Sequence, residues 1–172
     1  ENNANIVQTN SGPNTGAITV KRNSSPIVRL DHTLWSSPVL NQTLANFSPN
    51  TLTNRFYTYN SSNDQYQAVA ATSTMAAGRG YGVRAPNNWA TTPSVKGVPY
   101  NNTVTANGFF SQPVTGNGFK LIGNPFPSAV DAAIFVDYNM NMGSNTGGNI
   151  TGTLYFYAHS LKMDANGNFP GG

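Results

Sequence analysis

Residues 54–71 read NRFYTYNSSNDQYQAVAA, two runs of alternating bulky and polar residues joined by a polar quintet. Side chains two apart share a face of a strand, so Phe56 and Thr58 fall on one side and Tyr57 and Tyr59 on the other. NSSND at 60–64 offers the Asn, Ser and Asp that tight loops use, and the stretch is expected to form a β-hairpin. Helix formation would need a period of 3.6, which is absent here.

Similar runs recur on both sides of this hairpin. AITVKR at 17–22, PIVRL at 26–30, GYGVRA at 80–85, TVTANGFF at 103–110, FKLIG at 119–123 and TLYFYAH at 153–159 are each bounded by Gly, Pro, Asn or Ser clusters. Asn107-Gly108 and Asn117-Gly118 are candidate tight turns. Many short strands separated by turn signals indicate an all-β sandwich, jelly-roll-like in layout. SAVDAAIF at 128–135 is the one helical candidate, a turn or two, with Ser128 as cap, Asp131 at the third helical position and Val130, Ile134 and Phe135 sharing a face.

The composition agrees. The 172 residues suit one domain, 1–172, and only 9% are charged, so the surface must be built from amides and hydroxyls. Nine basic residues carry a net charge of +3 but are scattered except for Lys21-Arg22, which argues against a nucleic-acid face. The absence of cysteine excludes disulfides and thiolate chemistry, and no apolar run is long enough for a membrane span. The chain opens at ENNANIVQ, as a processed or excised piece of something longer would.

LIGNPFPS at 121–128 reads as a rigid corner. Gly123 tolerates positive φ, Asn124 is pushed toward extended backbone by Pro125, and neither Pro125 nor Pro127 has a ladder donor. LWSSPV at 34–39 has the same form, and each corner leads through an Ala-containing stretch, ending at Phe47 or Phe135, toward an aromatic run, RFYTYN at 55–60 or LYFYAH at 154–159. The echo suggests an internal duplication over about 17–90 and 103–172. Its second copy lacks the final strand pair; a chain cut short or a disordered tail is the simpler explanation, and the sharper one is an open sheet edge that accepts a strand from a neighbouring subunit or module, whose head-to-tail repetition would build a filament.

LWSSPV, SPNTLTNRFYTYN, GRGYGVRAPNNW and LIGNPFPSAVDAAIF, in that order, resemble a β-rich module of large secreted and cell-surface proteins of Bacteroidota. Such proteins leave through type IX secretion and include gliding-associated and adhesin-like members. The resemblance spans roughly residues 15–160. It implies an extracellular or cell-surface location and a structural or adhesive role, and it carries no enzymatic activity with it.

Chemistry-bearing residues are sparse. The six carboxylates include no close pair, and His32 and His159 have no nucleophile elbow to serve, so catalysis is not expected. Asp164, Asn166 and Asn168, and likewise Asp137, Asn139 and Asn141, give a D-x-N-x-N spacing that would present alternate oxygens to calcium if held in a loop; polar turns are the simpler explanation. Trp89 beside Asn87 and Asn88 in a loop-like segment is the candidate for polysaccharide, an aromatic face with amide partners, unless the ring folds back as a lid. Trp35, ahead of its Ser-Ser-Pro corner, is expected in the core. Arg79 and Arg84 around Gly80-Tyr81-Gly82 lack the lysine and helix of a phosphate loop and fit strand alternation. Of the tyrosine rows 57/59 and 155/157, one would be exposed or both packed under a neighbouring sheet.

Overall fold

The structure, a computed structural model, describes residues 6, 9, 12, 14–22, 31–85, 94–97, 119–141, 150 and 152–157, of which 94–97 and 141 as backbone only. Among these residues, six strands and two helices follow in the order β1 (Ile18–Lys21), β2 (His32–Trp35), α1 (Leu44–Phe47), β3 (Phe56–Asn60), β4 (Gln65–Ala68), β5 (Tyr81–Arg84), β6 (Ser94–Gly97) and α2 (Ala132–Asn141). The fold is β-rich, and every strand pairing is antiparallel.

Four strands form one sheet in the order β2-β5-β3-β4, and β1 pairs with β6 in a second, two-stranded sheet. The hairpin expected at 54–71 is present: Asn60 pairs with Gln65, and the Asn60 side-chain oxygen accepts from the Ser62 amide at 2.9 Å. Asp64 closes the turn with φ of 54°, a conformation Asp tolerates better than most residues. The strands at 18–21 and 81–84 also lie where alternation puts them.

One apolar cluster holds these pieces together. Phe56, Tyr81 and Val83 come from the inner face of the large sheet, Val39 and Met75 from connecting segments, Leu44 and Phe47 from α1, and Val20 from β1. Helix α1 is only four residues long, so local propensity does not sustain it. The Thr43 hydroxyl caps it by accepting from the Asn46 amide, and its first amides donate to Ser73 and Ala71 carbonyls. Trp35 is half-buried against the cluster, its ring 5.2 Å from Phe47, with the indole donating to the Thr33 hydroxyl.

LIGNPFPS is a corner, and it docks on the other corner. Gly80 donates its amide to the Leu121 carbonyl, Gly123 donates to Gly78, and the Ser36 hydroxyl donates to the Asn124 carbonyl at 3.0 Å. Within the corner, Asn124 accepts from the Phe126 amide and donates to the Ser128 carbonyl, closing the turn the two prolines start. Arg22 adds a bond to the Pro127 carbonyl at 2.7 Å.

Several expectations shift. Neither β2, whose Leu34 and Trp35 run into the LWSSPV corner, nor β6 has a counterpart among the expected strand runs. FKLIG supplies a single bridge, Ile122 to Arg79, and residues 153–157 carry no ladder among the described residues. Helix α2 begins four residues after Ser128 and runs past 135; Asp131, not Ser128, caps it, accepting from the Ala133 and Ile134 amides at 2.8 and 3.0 Å. Val130 precedes the helix and is exposed, Ile134 is exposed on it and Phe135 is half-buried, so the three do not share one face. PIVRL, TVTANGFF and both Asn-Gly turns lie outside the described residues.

Candidate functional site

The large sheet has one face in the core and one outside, and the register sorts its residues. Thr33, Val83 and Phe56 form a cross-strand row that is buried. The alternate residues, His32 and Leu34 of β2, Gly82 and Arg84 of β5, Tyr57 and Tyr59 of β3, and Tyr66 and Ala68 of β4, therefore make the outer face. Half of these eight residues carry rings, of which Tyr66 is 52% exposed while His32, Tyr57 and Tyr59 are half-buried.

The rings are held edge to face. His32 and Tyr57 centroids are 5.4 Å apart and Tyr59 and Tyr66 5.3 Å apart, both in the arrangement that suits the aromatic quadrupole. Gly82 leaves room for a ring above it: a Cβ there would meet the Tyr66 ring at 3.7 Å, so that ring reaches across β3 toward β5 and buries the glycine. Tyr157 comes in from the segment after α2, its hydroxyl donating to the His32 carbonyl at 3.1 Å. Because Ala85 donates to the Asp31 carbonyl, Asp31 and Thr33 turn their backbone groups to β5 and His32 turns its own outward. Tyr157 thus satisfies an acceptor on the open edge of β2.

The rings of this face are uncharged near neutral pH, while Arg84 beside them carries a positive charge. Burial, and then the Tyr59 hydroxyl's bond to the Asp64 carboxylate at 2.9 Å, push the Tyr59 phenol up to about 12. Burial likewise raises Tyr66 and Tyr157 above the usual phenol range. Burial first, and the Arg84 charge second, hold His32 below the usual imidazole value. The unfolded chain then takes up this proton at higher pH than the folded one, so stability is complete above about pH 6.5 and declines as pH falls below it. Urea midpoints at descending pH should show that decline, and His32→Gln should flatten it; an unchanged slope in the variant would assign the effect elsewhere.

Trp89, Asn87 and Asn88, the residues expected to meet polysaccharide, lie outside the described residues, as do Asp164, Asn166 and Asn168. The second D-x-N-x-N run is corrected: Asp137, Asn139 and Asn141 are in α2, where residues two apart diverge around the axis and cannot converge on one ion. Asn139 instead donates to the Phe135 carbonyl one turn back. Among the described residues no group of three or more His, Asp or Glu could hold a metal. The tyrosine row at 57 and 59 was visible in the sequence; His32, Gly82 and Tyr66 were not seen as its partners, because they come from three different strands.

Next to this face lies an exposed aromatic segment. Tyr155 is 77% and Phe156 80% exposed, and Phe119 stacks edge-on against Tyr155 at 5.7 Å. The outer face and this segment together form the largest concentration of accessible rings among the described residues. Among those residues no helix is long and apolar enough to cross a membrane.

No curated protein and no solved structure matches this chain. A family model does, over residues 1–170, and the chain belongs to the family it describes, a domain of unknown function designated DUF8693.

Proposed function

We propose that this chain is an extracellular structural or adhesive module of a bacterial surface or secreted protein, working by contact and not by catalysis. Its layout would be a jelly-roll-like sandwich, the β1–β6 ribbon being the start of the second layer over the shared cluster around Val20. The observation that carries the reading is the neutral aromatic surface formed by His32, Tyr57, Tyr59 and Tyr66 with Tyr155, Phe156 and Tyr157 beside it. A chain with so few charges holds partners by burying rings and satisfying hydroxyls, which salt does not screen. The extracellular location rests on the sequence resemblance, and fibre formation through strand completion between subunits belongs to the same reading.

Carbohydrate binding is the second reading, favoured by one feature: the Tyr66 ring, 52% exposed, lies over Gly82 beside Tyr57 and could offer its outer side to a neutral sugar ring. Retention of the purified chain on surfaces coated with neutral polysaccharide, and on surfaces coated with the chain itself, tests both. Retention should persist in high salt and fall at least tenfold in a Tyr57→Ser, Tyr66→Ser double variant. Binding that salt abolishes and the double variant keeps would mean scattered lysines and arginines are responsible. Binding to polysaccharide but not to the chain would favour the second reading.

A further inference from the structure

We infer that β4 is a homotypic docking edge, pairing antiparallel across a twofold axis with β4 of a second copy of this chain. The inference rests on the homotypic part of the reading above and goes beyond it by naming the strand and its register. Val69 donates to the Phe56 carbonyl, so Gln65, Gln67 and Val69 direct their backbone groups at β3. Tyr66 and Ala68 direct theirs away from the sheet, and all four residues of β4 are exposed.

Natural edge strands are usually blunted by lysine, proline, a bulge or a covering segment. Gln65, Tyr66, Gln67 and Ala68 include no charge and no proline, and β4 pairs with β3 without a bulge. The opposite edge differs, since Tyr157 already occupies the His32 carbonyl there. Like-charge repulsion, which would turn away a second copy, is absent from β4 itself.

One register suits this edge. With Gln67 on the twofold axis, Tyr66 faces Ala68 of the second copy and Ala68 faces its Tyr66, each pair exchanging two backbone bonds. A large side chain then lies beside a small one twice, and the Gln67 amides meet across the axis. Sliding by two residues either way leaves only one complete pair within the strands. Asp64, at φ of 54°, has left extended geometry, and the Ala70 carbonyl is engaged by the Ser73 amide. The twofold arrangement closes on itself, so β4 alone makes dimers and a longer fibre would need a further contact.

The chain has no cysteine, which makes disulfide trapping clean. Gln67 lies opposite its own copy in a non-hydrogen-bonded pair, with Cα atoms about 4.5 Å apart, near the lower end of the roughly 4.4–6.8 Å range of disulfides. Under mild oxidation Gln67→Cys should become a covalent dimer, whereas Gln65→Cys, equally exposed but opposite residue 69 of the other copy, should remain largely monomeric. In sedimentation the unmodified chain should show a concentration-dependent dimer that Gln67→Lys, with two ammonium groups face to face, shifts at least tenfold toward monomer. Equal trapping of both cysteine variants, trapping of neither, or a dimer unaffected by Gln67→Lys would overturn the inference. Loss of surface retention with intact Gln67→Cys trapping would reject the adhesive reading and leave this contact standing.

Discussion

Phe56→Ala should destabilise the chain by about 3–5 kcal/mol, the range for emptying a buried phenylalanine site. Phe56 is fully buried at the point where β3 meets β5, opposite Val83 and within the cluster that also includes Leu44, Val39 and Met75. Those neighbours come from a helix, two connecting segments and a second strand, so they cannot close the void without moving several elements at once. The expected loss is a large part of the roughly 5–15 kcal/mol that keeps an ordinary domain folded. Urea unfolding should show a lower midpoint with an unchanged slope. A loss below about 1 kcal/mol would mean that Phe56 does not sit in the core described here.

Gly123→Ala should cost about 1–3 kcal/mol through overpacking, with no loss of any hydrogen-bonding group. A Cβ at this position would fall on the Cβ and Oγ of Ser36, the residue at which β2 passes into its own corner. Ser36 cannot swing freely aside, because its hydroxyl donates to the Asn124 carbonyl and its Cα lies 3.5 Å from the added atom. Gly80 is a parallel case, its added Cβ meeting Leu121 Cγ at 2.6 Å and the Ile122 carbonyl oxygen at 3.3 Å. Combining Gly123→Ala with Ser36→Gly should recover most of the loss caused by Gly123→Ala, because the atoms that clash are gone. Additive penalties in that double-mutant cycle would show that the two corners do not touch.

These two positions also show how far the sequence could be read. The hairpin at 54–71 announced itself because alternation and turn chemistry agree over eighteen residues, and LIGNPFPS was legible as a corner from its glycine and prolines. That the two corners rest on each other was not, since nothing local records a contact between Ser36 and Gly123. Strand β2 escaped notice because it follows a fully buried Asp31 and opens on a half-buried histidine, neither of which shows an apolar alternation. Helix α2 was placed too early and made too short because Asp131 competes with Ser128 for the cap and its later residues are Asn and Met. Ile134, Tyr138 and Met140 are exposed on it, so apolar spacing could not mark its inner side.

The candidate site was half legible for a similar reason. Alternation separates Phe56 from Tyr57 but cannot say which row faces solvent, because both rows are bulky. The choice is made by tertiary packing, with Leu44, Val39 and Met75 covering the Phe56 side. Gly82, which leaves room for the Tyr66 ring two strands away, is a single glycine in a glycine-rich run and acquires meaning only from the register. Residues 153–157 misled in the opposite direction, since a β-prone aromatic run is exposed and carries no ladder among the described residues.

The central claim, that this chain works through its outer aromatic face, is most directly tested by chemical labelling of tyrosines in the free and the surface-retained chain. Tyr57, Tyr66 and Tyr157 should react when the chain is free and lose reactivity when it is retained, while Tyr81, buried in the core, stays unreactive throughout. Unchanged labelling of those three with protection confined to Tyr138 on α2 would contradict the claim and move the contact surface to the helix.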